Sequence, residues 1–170
     1  MADVKGPDTP EFFERLVQAY QTPLRRLCCV LLKDVHLADD AVQETFIKAY
    51  RALKDFRQES SEKTWLTRIA VNTCRDMMRS RWFIHIDRSA DIADLPEESD
   101  GRDAESDTEL MDTVLRLPLK QREAVLLYYY QNMTMQETAE ALHITVSNVS
   151  RRLESARKAL RKQLEGGEPA

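Results

Sequence analysis

A strongly acidic stretch separates two parts of this chain that have helical patterns. Residues 88–107 (RSADIADLPEESDGRDAESD) lack apolar residues at a sustained helical spacing and contain Pro96 and Gly101. Residues 88–113 carry ten acidic and two basic side chains, a net charge of −8, whereas residues 114–170 have a net charge of +3. We therefore expect two domains, residues 9–87 and 108–164, joined by a flexible acidic linker at residues 88–107.

Apolar residues recur at helical spacing on both sides of the linker, and this periodicity predicts an all-α protein of two small helical domains. Only four of the 170 residues are glycine, which favours helices. The pairs Thr9-Pro10 and Thr22-Pro23 are typical of a capped first turn and predict two separate helix starts. A third helix is expected over about residues 37–53, and a fourth begins at Ser60 or Ser61.

The second and third helices each have a continuous apolar face that we expect to be buried. On the second helix this face consists of Leu24, Leu27, Cys28, Leu31 and Leu32, and on the third of Val42, Phe46, Ala49, Tyr50 and Leu53. The opposite face of the third helix carries Asp39, Asp40, Gln43 and Glu44. This acidic face is either solvated or a docking surface for a basic partner, and the residues alone leave both interpretations open.

The fourth helix carries a polar and basic stripe formed by Arg68, Asn72, Arg75 and Arg79. Aromatic residues lie near its two ends, namely Trp65, Trp82 and Phe83. Cations beside aromatic rings are typical of surfaces that bind single-stranded nucleic acid. Aromatic rings are more often core residues, however, so this pattern alone does not establish such a surface.

The second domain contains the pattern of a helix-turn-helix. Helices are expected over about residues 109–116, 119–130, 134–142 and 146–164, the third opened by a capping box of Thr134 and Glu137. His143 occupies the turn, where a left-handed conformation is expected that histidine tolerates. The last helix turns Val149, Leu153, Ala156 and Leu160 inwards.

Short polar groups precede cations on the outer side of this last helix. The outward positions are Ser147, Asn148, Ser150, Arg151, Glu154, Ser155, Lys158, Arg161 and Lys162. This order suits base-edge contacts in a major groove by the first half and phosphate contacts by the second half. A solvated helix face is the alternative, but the capping box, turn and basic helix together favour DNA binding.

The sequence lacks the patterns of an enzyme active site, a metal site or a membrane span. No Ser-His-Asp set or phosphate-binding glycine loop is present, and the three histidines share no motif, so neither a cofactor nor a metal is expected. Cys28, Cys29 and Cys74 lack metal-ligand spacing, and Cys28 is expected to be a buried thiol. The apolar runs are too short to cross a bilayer, so we expect a soluble, cytoplasmic protein.

Several segments resemble the extracytoplasmic-function (ECF) sigma factors. Residues 39–46 (DDAVQETF) and 64–72 (TWLTRIAVN) resemble regions 2.2 to 2.4 of that family. Residues 117–122, 137–139 and 149–160 are similar to its region 4. The resemblance covers roughly residues 11–163, in the family's order and with its acidic linker.

The resemblance implies a function in transcription. A member of this family binds core RNA polymerase and directs promoter-specific initiation without catalysing a reaction itself, here in a stress or envelope-signal response. The resemblance further implies that the free protein is a monomer and is controlled by a separate anti-sigma factor. There are two alternative interpretations. The first is a dimeric regulator that binds a palindrome without polymerase, but the sequence shows no dimer seam. The second is a hydrolase, but the sequence shows no catalytic set.

The resemblance also assigns roles to residues. Asp39, Asp40, Gln43 and Glu44 would dock on the coiled coil of the polymerase's largest subunit, the flap being a further polymerase contact. The −10 element would be bound as a single strand, with a flipped base, by Phe56, Arg57, Ser60, Lys63, Trp65, Arg68, Asn72, Arg75 and Arg79. The −35 element would be bound as duplex by Ser147, Asn148, Ser150, Arg151, Arg152, Ser155, Lys158 and Arg161. The acidic linker would run towards the RNA exit path.

One departure from the family limits what carries over. Residues 147–152 read SNVSRR, where the family commonly has GTVKSR in the recognition helix. The fold is expected to tolerate this difference. The preferred −35 sequence does not transfer from the family to this chain.

Overall fold

The computed structural model describes residues 8–82 and 104–166, and the regular structure within these ranges is helical, which confirms the predicted all-α class. The described residues form seven α-helices: α1 Pro10–Leu32, α2 Val35–Ala52, α3 Glu62–Trp82, α4 Ala104–Leu115, α5 Leu119–Val125, α6 Met135–Leu142 and α7 Val146–Glu165. A 3-10 turn, Leu53–Asp55, follows α2, and a π-helical turn, Leu126–Tyr130, follows α5. Most of the predicted linker, residues 88–103, lies outside the described residues.

The first helix is one continuous element where the sequence predicts two. Thr9 caps it, since its hydroxyl accepts a hydrogen bond from the Phe12 amide at 3.3 Å. The predicted helix start at Pro23 is wrong, because Pro23 lies inside α1. Proline removes one backbone hydrogen bond, but the apolar face that follows Pro23 is buried, and this packing outweighs the local cost.

Helices α1, α2 and α3 pack together as the first bundle. The predicted apolar face of α1 is buried, as are Val42, Phe46, Ala49 and Leu53 of α2. Tyr50 is the exception, because it is 59% exposed at the edge of that face and packs only edge-to-face on Phe13, with ring centroids 5.1 Å apart. The prediction that Tyr50 belongs to the core is therefore wrong.

Helices α4 to α7 form the second bundle, which contains the predicted helix-turn-helix. The capping box of α6 is complete: the Glu137 amide donates to the Thr134 hydroxyl at 3.1 Å, and the Thr134 amide donates to the Glu137 carboxylate at 2.8 Å. His143 adopts the expected left-handed conformation, with φ 56° and ψ 47°. Helix α4 begins at Ala104, inside the stretch predicted as linker, rather than near Glu109.

The two bundles are in direct contact, mainly through α3 against α6. Arg122 on α5 is only 6% exposed and bonds both bundles. One guanidinium nitrogen donates to the carbonyl oxygens of Leu115 and Leu117 at 3.2 Å, and the other donates to Leu31 O of α1 at 3.0 Å. A buried guanidinium needs such partners, so this residue helps to fix the position of α5 on α1.

Candidate nucleic-acid and protein interfaces

The basic stripe of α3 is partly exposed and partly engaged by the second bundle. Arg68, Asn72 and Arg79 are exposed, and Arg79 donates to the Asp76 carboxylate at 2.9 Å. Arg75 is half-buried and donates to both carboxylate oxygens of Glu123 on α5, at 2.8 Å and 2.7 Å. Hydrogen bonding to this carboxylate raises the pKa of Arg75 above its ordinary value. The predicted stripe of α3 is therefore present, but Arg75 is paired with the second bundle and Arg79 with a carboxylate of its own helix.

The loop before α3 is organised around a buried ring. Phe56 is 8% exposed and stacks on Trp65, with ring centroids 4.3 Å apart and planes inclined by 25°. Ser61 caps α3, because its hydroxyl accepts a hydrogen bond from the Thr64 amide at 3.1 Å. Arg57 is exposed beside this pair, so the loop offers a cation at its surface and a ring stack beneath it.

Other predicted residues at this end of α3 face the second bundle. Lys63 donates to the backbone oxygen of Gln131, and Arg68 Nη2 lies 3.4 Å from His143 Nδ1. Ser60, Trp65 and Arg68 line one side of a cleft of about 750 Å³, and His143 and Asn148 line the other. Phe83 and the side chain of Trp82 lie outside the described residues.

Helix α7 exposes most of the predicted recognition residues. Thr145 caps it by accepting a hydrogen bond from the Asn148 amide at 3.2 Å, and Val149, Leu153 and Ala156 anchor its inner side in the core. The exposed predicted residues are Ser147, Ser150, Arg151, Ser155, Lys158 and Arg161. Asn148 and Arg152 are half-buried, and Arg152 Nη1 lies 3.9 Å from the Glu123 carboxylate.

All four predicted residues of the acidic face of α2 are exposed, namely Asp39, Asp40, Gln43 and Glu44. Asp39 accepts a hydrogen bond from Arg25 Nε of α1 at 2.6 Å, and this bond raises the pKa of Arg25. The pair joins α1 and α2 at the edge of the face. The ion pair does not involve Asp40, Gln43 or Glu44, which are therefore accessible to a partner.

An apolar groove beside this acidic face was missed by sequence reasoning. It has a volume of about 760 Å³ and is lined chiefly by Phe13, Val17, Val42, Phe46, Ile47 and Tyr50, with Arg25, Asp39 and Gln43 at its margin. Phe13 contacts Phe46 edge-to-face, with ring centroids 6.2 Å apart. The signal for the groove was present, because Phe13 and Val17 on α1 and Phe46 and Tyr50 on α2 are each four residues apart. The periodicity does not distinguish a groove wall from a buried core.

The described residues contain neither a cluster suited to a metal ion nor a helix suited to a membrane span. Residues 8–82 and 104–166 contain no group of three or more His, Cys, Asp or Glu side chains arranged to hold a metal ion. Over the same ranges, no helix combines the length and apolar character that a bilayer span requires.

The fold thus joins a three-helix bundle, with cations and a ring stack along α3, to a helix-turn-helix bundle. Residues 16–84 match the family description Sigma-70 region 2, and residues 107–160 match Sigma-70, region 4. The ECF RNA polymerase sigma factor SigW of Bacillus subtilis (strain 168) is 34% identical over 179 aligned residues, which cover 95% of this chain and 92% of SigW.

Solved structures agree with this match. CnrH, in complex with the cytosolic domain of CnrY, has a TM-score of 0.71 and 26% identity, covering 94% of this chain and 92% of CnrH. RpoE of Bartonella quintana, in complex with the anti-sigma factor NepR, has the same fold, with a TM-score of 0.75, 23% identity and coverage of 92% and 98%. The chain belongs to the ECF family of RNA polymerase sigma factors, and it directs promoter-specific initiation of transcription.

Proposed function

We propose that three surfaces of this sigma factor have separate tasks. The acidic face of α2 with the adjoining apolar groove binds core RNA polymerase, α3 with its preceding loop binds the −10 element as a single strand, and α7 binds the −35 element as duplex. The main support for this proposal is the exposed side of α7. This side of the helix presents short polar groups first and cations later, while the inner side of the helix is anchored in the core. In this division residues 9–87 and 108–164 act as separate domains on the linker at residues 88–107.

The polymerase contact combines charge and apolar area. Asp40, Gln43 and Glu44 are exposed beside a groove that contains Ile47 and Tyr50, which are 39% and 59% exposed. Carboxylates that meet a basic surface give orientation and a fast encounter, whereas buried apolar and aromatic contacts supply most of the affinity. The coiled coil of the polymerase's largest subunit is the partner expected from the family, with the flap as a second contact for the helix-turn-helix domain.

The −10 contact uses the cations of α3. Arg68, Asn72 and Arg79 are exposed at positions that share one side of the helix, a spacing that suits the phosphates and bases of an extended strand. Phe56 has a supporting role in this proposal, because its ring is buried against Trp65 and holds the base-binding loop in place. Arg57 and Ser60 on that loop then contact the flipped base directly.

The −35 contact uses the first half of α7 for bases and the second half for phosphates. Ser147, Ser150 and Arg151 precede Lys158 and Arg161 on the exposed side of the helix. Arginine donates two hydrogen bonds to a guanine edge in the major groove, so Arg151 is the residue expected to discriminate most strongly between bases.

A protein inhibitor and a cellular compartment complete the proposal. The apolar groove on α1 and α2 fits an amphipathic helix of an anti-sigma factor, which would compete with polymerase for the same residues. Release of this inhibitor in response to a stress or envelope signal would free the sigma factor. Because bacterial transcription takes place in the cytoplasm, we assign the protein, as a monomer, to that compartment.

Run-off transcription with purified core polymerase on genomic fragments tests the proposal. The chain is expected to direct initiation at discrete positions. The triple variant Arg68→Ala, Asn72→Ala, Arg79→Ala should lose these products, while Lys54→Ala, an exposed cation on the 3-10 turn, should keep them. Tight binding of a palindrome by the chain alone, without initiation in the presence of polymerase, would instead identify a dimeric regulator.

A further inference from the structure

The loop proposed to bind the flipped base, residues 57–61, contains a residue in a strained backbone conformation. Gln58 is left-handed, with φ 56°, and glutamine is not among the residues that enter this region readily. A residue persists in such a conformation where the surrounding structure fixes it, and residues of this kind are concentrated at functional sites. The loop therefore needs firm contacts at both of its ends to keep this shape.

The first end of the loop is held by the core of the first bundle. The Phe56 amide donates a hydrogen bond to Leu53 O at 3.2 Å, and the buried Phe56 ring stacks on Trp65 of α3. These contacts fix the backbone where the loop begins. They do not reach the first helix, so the other end of the loop needs a separate attachment to α1.

The second end of the loop meets Glu62, which begins α3 and is bonded to α1. Its two carboxylate oxygens accept hydrogen bonds from Arg15, with Oε1 2.6 Å from Nη2 and Oε2 3.2 Å from Nη1. The Tyr20 hydroxyl donates to Oε2 at 3.4 Å. Arg15 and Tyr20 precede Glu62 by 47 and 42 residues in the sequence, so these bonds attach the first turn of α3 to a different helix.

This cluster of Arg15, Tyr20 and Glu62 differs from an isolated surface ion pair, which contributes little to stability. The Arg15 guanidinium forms two hydrogen bonds to one carboxylate and also lies over the Phe12 ring, 4.8 Å from its centroid, so its orientation is fixed from two sides. Burial raises the pKa of Tyr20, and the charge of Glu62 raises it further, so the hydroxyl stays protonated and remains a donor. The first turn of α3 is therefore held in one place relative to α1.

We propose that Glu62, held by Arg15 and Tyr20, is a positioning residue for the base-binding loop and thereby sets the selectivity for the −10 strand. The inference rests on the proposed role of residues 57–61 in strand binding. Because Glu62 directly follows the loop, any shift of the first turn of α3 moves the end of the loop with it. A loop that is already in its binding conformation loses less conformational freedom when a base enters, so loosening the cluster weakens base recognition.

Binding of forked DNA by the complex of the full chain with core polymerase tests the proposal. The first probe is built on a promoter found by run-off transcription, with the −35 element as duplex and the −10 element as a fluorescein-labelled single strand. The second probe carries the same −10 bases in scrambled order. The ratio of the affinities for the two probes measures base selectivity, because contacts to phosphates and to the −35 duplex are common to both.

Arg15→Gln removes the cluster without altering the loop or α3. Since Arg15 is 52% exposed, the helicity and the affinity for core polymerase should stay as in the wild type, while the selectivity ratio should fall about fivefold. Glu62→Gln should also lower the ratio, and the double variant should lose no more than the larger of the two single losses, because both changes remove one shared interaction. Glu14→Gln, which removes an exposed carboxylate from α1, is the matched control and should keep the wild-type ratio.

Arg15→Lys separates position from charge. Lysine keeps the positive charge but cannot form the two-pronged contact, so this variant should lower the ratio as Arg15→Gln does. A wild-type ratio in Arg15→Gln and Glu62→Gln would overturn the proposal. An equal loss of affinity for both probes in Arg15→Gln, with the ratio unchanged, would also overturn it, because that result would identify Arg15 as a phosphate contact.

Failure of the proposed function is distinguishable from failure of this inference. The double variant Arg57→Ala, Ser60→Ala removes the side chains proposed to contact the base and leaves the cluster in place. A wild-type ratio in that variant would refute the role of the loop in strand binding, and the inference with it. A lowered ratio in that variant, together with a wild-type ratio in Arg15→Gln, would refute only the positioning role of Glu62.

Discussion

Phe56 and Trp65 form a stacked pair, with ring centroids 4.3 Å apart, that joins the loop after the 3-10 turn to the first turns of α3. Phe56 is 8% exposed, whereas Trp65 is half-buried and lines the cleft between the bundles. The stack therefore supports the loop from below and leaves only one of the two rings near the surface that a base would reach.

Phe56→Ala should lower the free energy of unfolding by about 3 kcal/mol, because a buried aromatic ring is lost and a cavity remains. Urea unfolding followed by tryptophan fluorescence measures this loss, and Trp65 emission should shift to longer wavelength as water reaches the ring. Arg57→Ala, at the exposed neighbouring position, should change stability by less than about 0.5 kcal/mol. Equal stability of the two variants would contradict the supporting role of Phe56.

The double variant Gln43→Ala, Glu44→Ala should weaken binding to core polymerase at least tenfold, or about 1.4 kcal/mol, because both side chains lie on the exposed acidic face. Neither belongs to the buried side of α2, so the helical content measured by circular dichroism should stay the same. Fluorescence anisotropy of labelled chain titrated with core enzyme measures the affinity. Wild-type affinity of the double variant would remove this face from the polymerase interface.

Tyr50→Ala separates the apolar groove from the acidic face. Since Tyr50 is 59% exposed, its loss should change the free energy of unfolding little, while binding to polymerase should weaken by about 2 kcal/mol if the ring is buried on assembly. The same titration checks this, with Tyr130→Ala, 42% exposed on the second bundle, as the control. Equal losses in both variants would argue that the groove has no special part in binding.

The helices and caps of this chain were predictable because their signals are local. The capping box of Thr134 and Glu137 and the left-handed His143 follow from residues within one or two turns. The predictions for Pro23 and Tyr50 were wrong because each outcome depends on packing against residues that are distant in the sequence. Packing of the residues after Pro23 keeps α1 continuous, and Tyr50 lies at the edge of the contact between α1 and α2, where it packs edge-to-face on Phe13 and stays 59% exposed.

The chemical character of the surfaces was also predictable, but their pairing was not. The sequence places Arg75 on a basic stripe and Arg152 on the recognition helix. It gives no indication that Glu123, within the apolar pattern of α5, meets both of them, because that contact depends on how two separate bundles dock. The apolar groove was missed for a related reason, as its walls come from two helices with ordinary amphipathic spacing.

Arg151→Ala and Lys162→Ala should affect DNA binding by the complex with polymerase in different ways. Arg151 is exposed in the first half of α7, where side chains reach base edges, so its loss should cost about 1–3 kcal/mol on the preferred −35 sequence and relax the preference at one position. Lys162 is exposed near the end of α7, where a phosphate contact is expected. Its loss should therefore weaken binding to all DNA sequences alike and reduce the salt dependence of the affinity by about one ion.

Competition binding against single-base variants of the −35 element, repeated at several salt concentrations, separates the two effects. The measurement uses the complex with polymerase rather than the chain alone, because two modest DNA-binding surfaces gain affinity when a scaffold fixes their spacing. A uniform loss in Arg151→Ala, with every base ranked as in the wild type, would show that this arginine contacts the backbone. Base recognition would then have to come from the short side chains that precede it, chiefly Ser147 and Asn148.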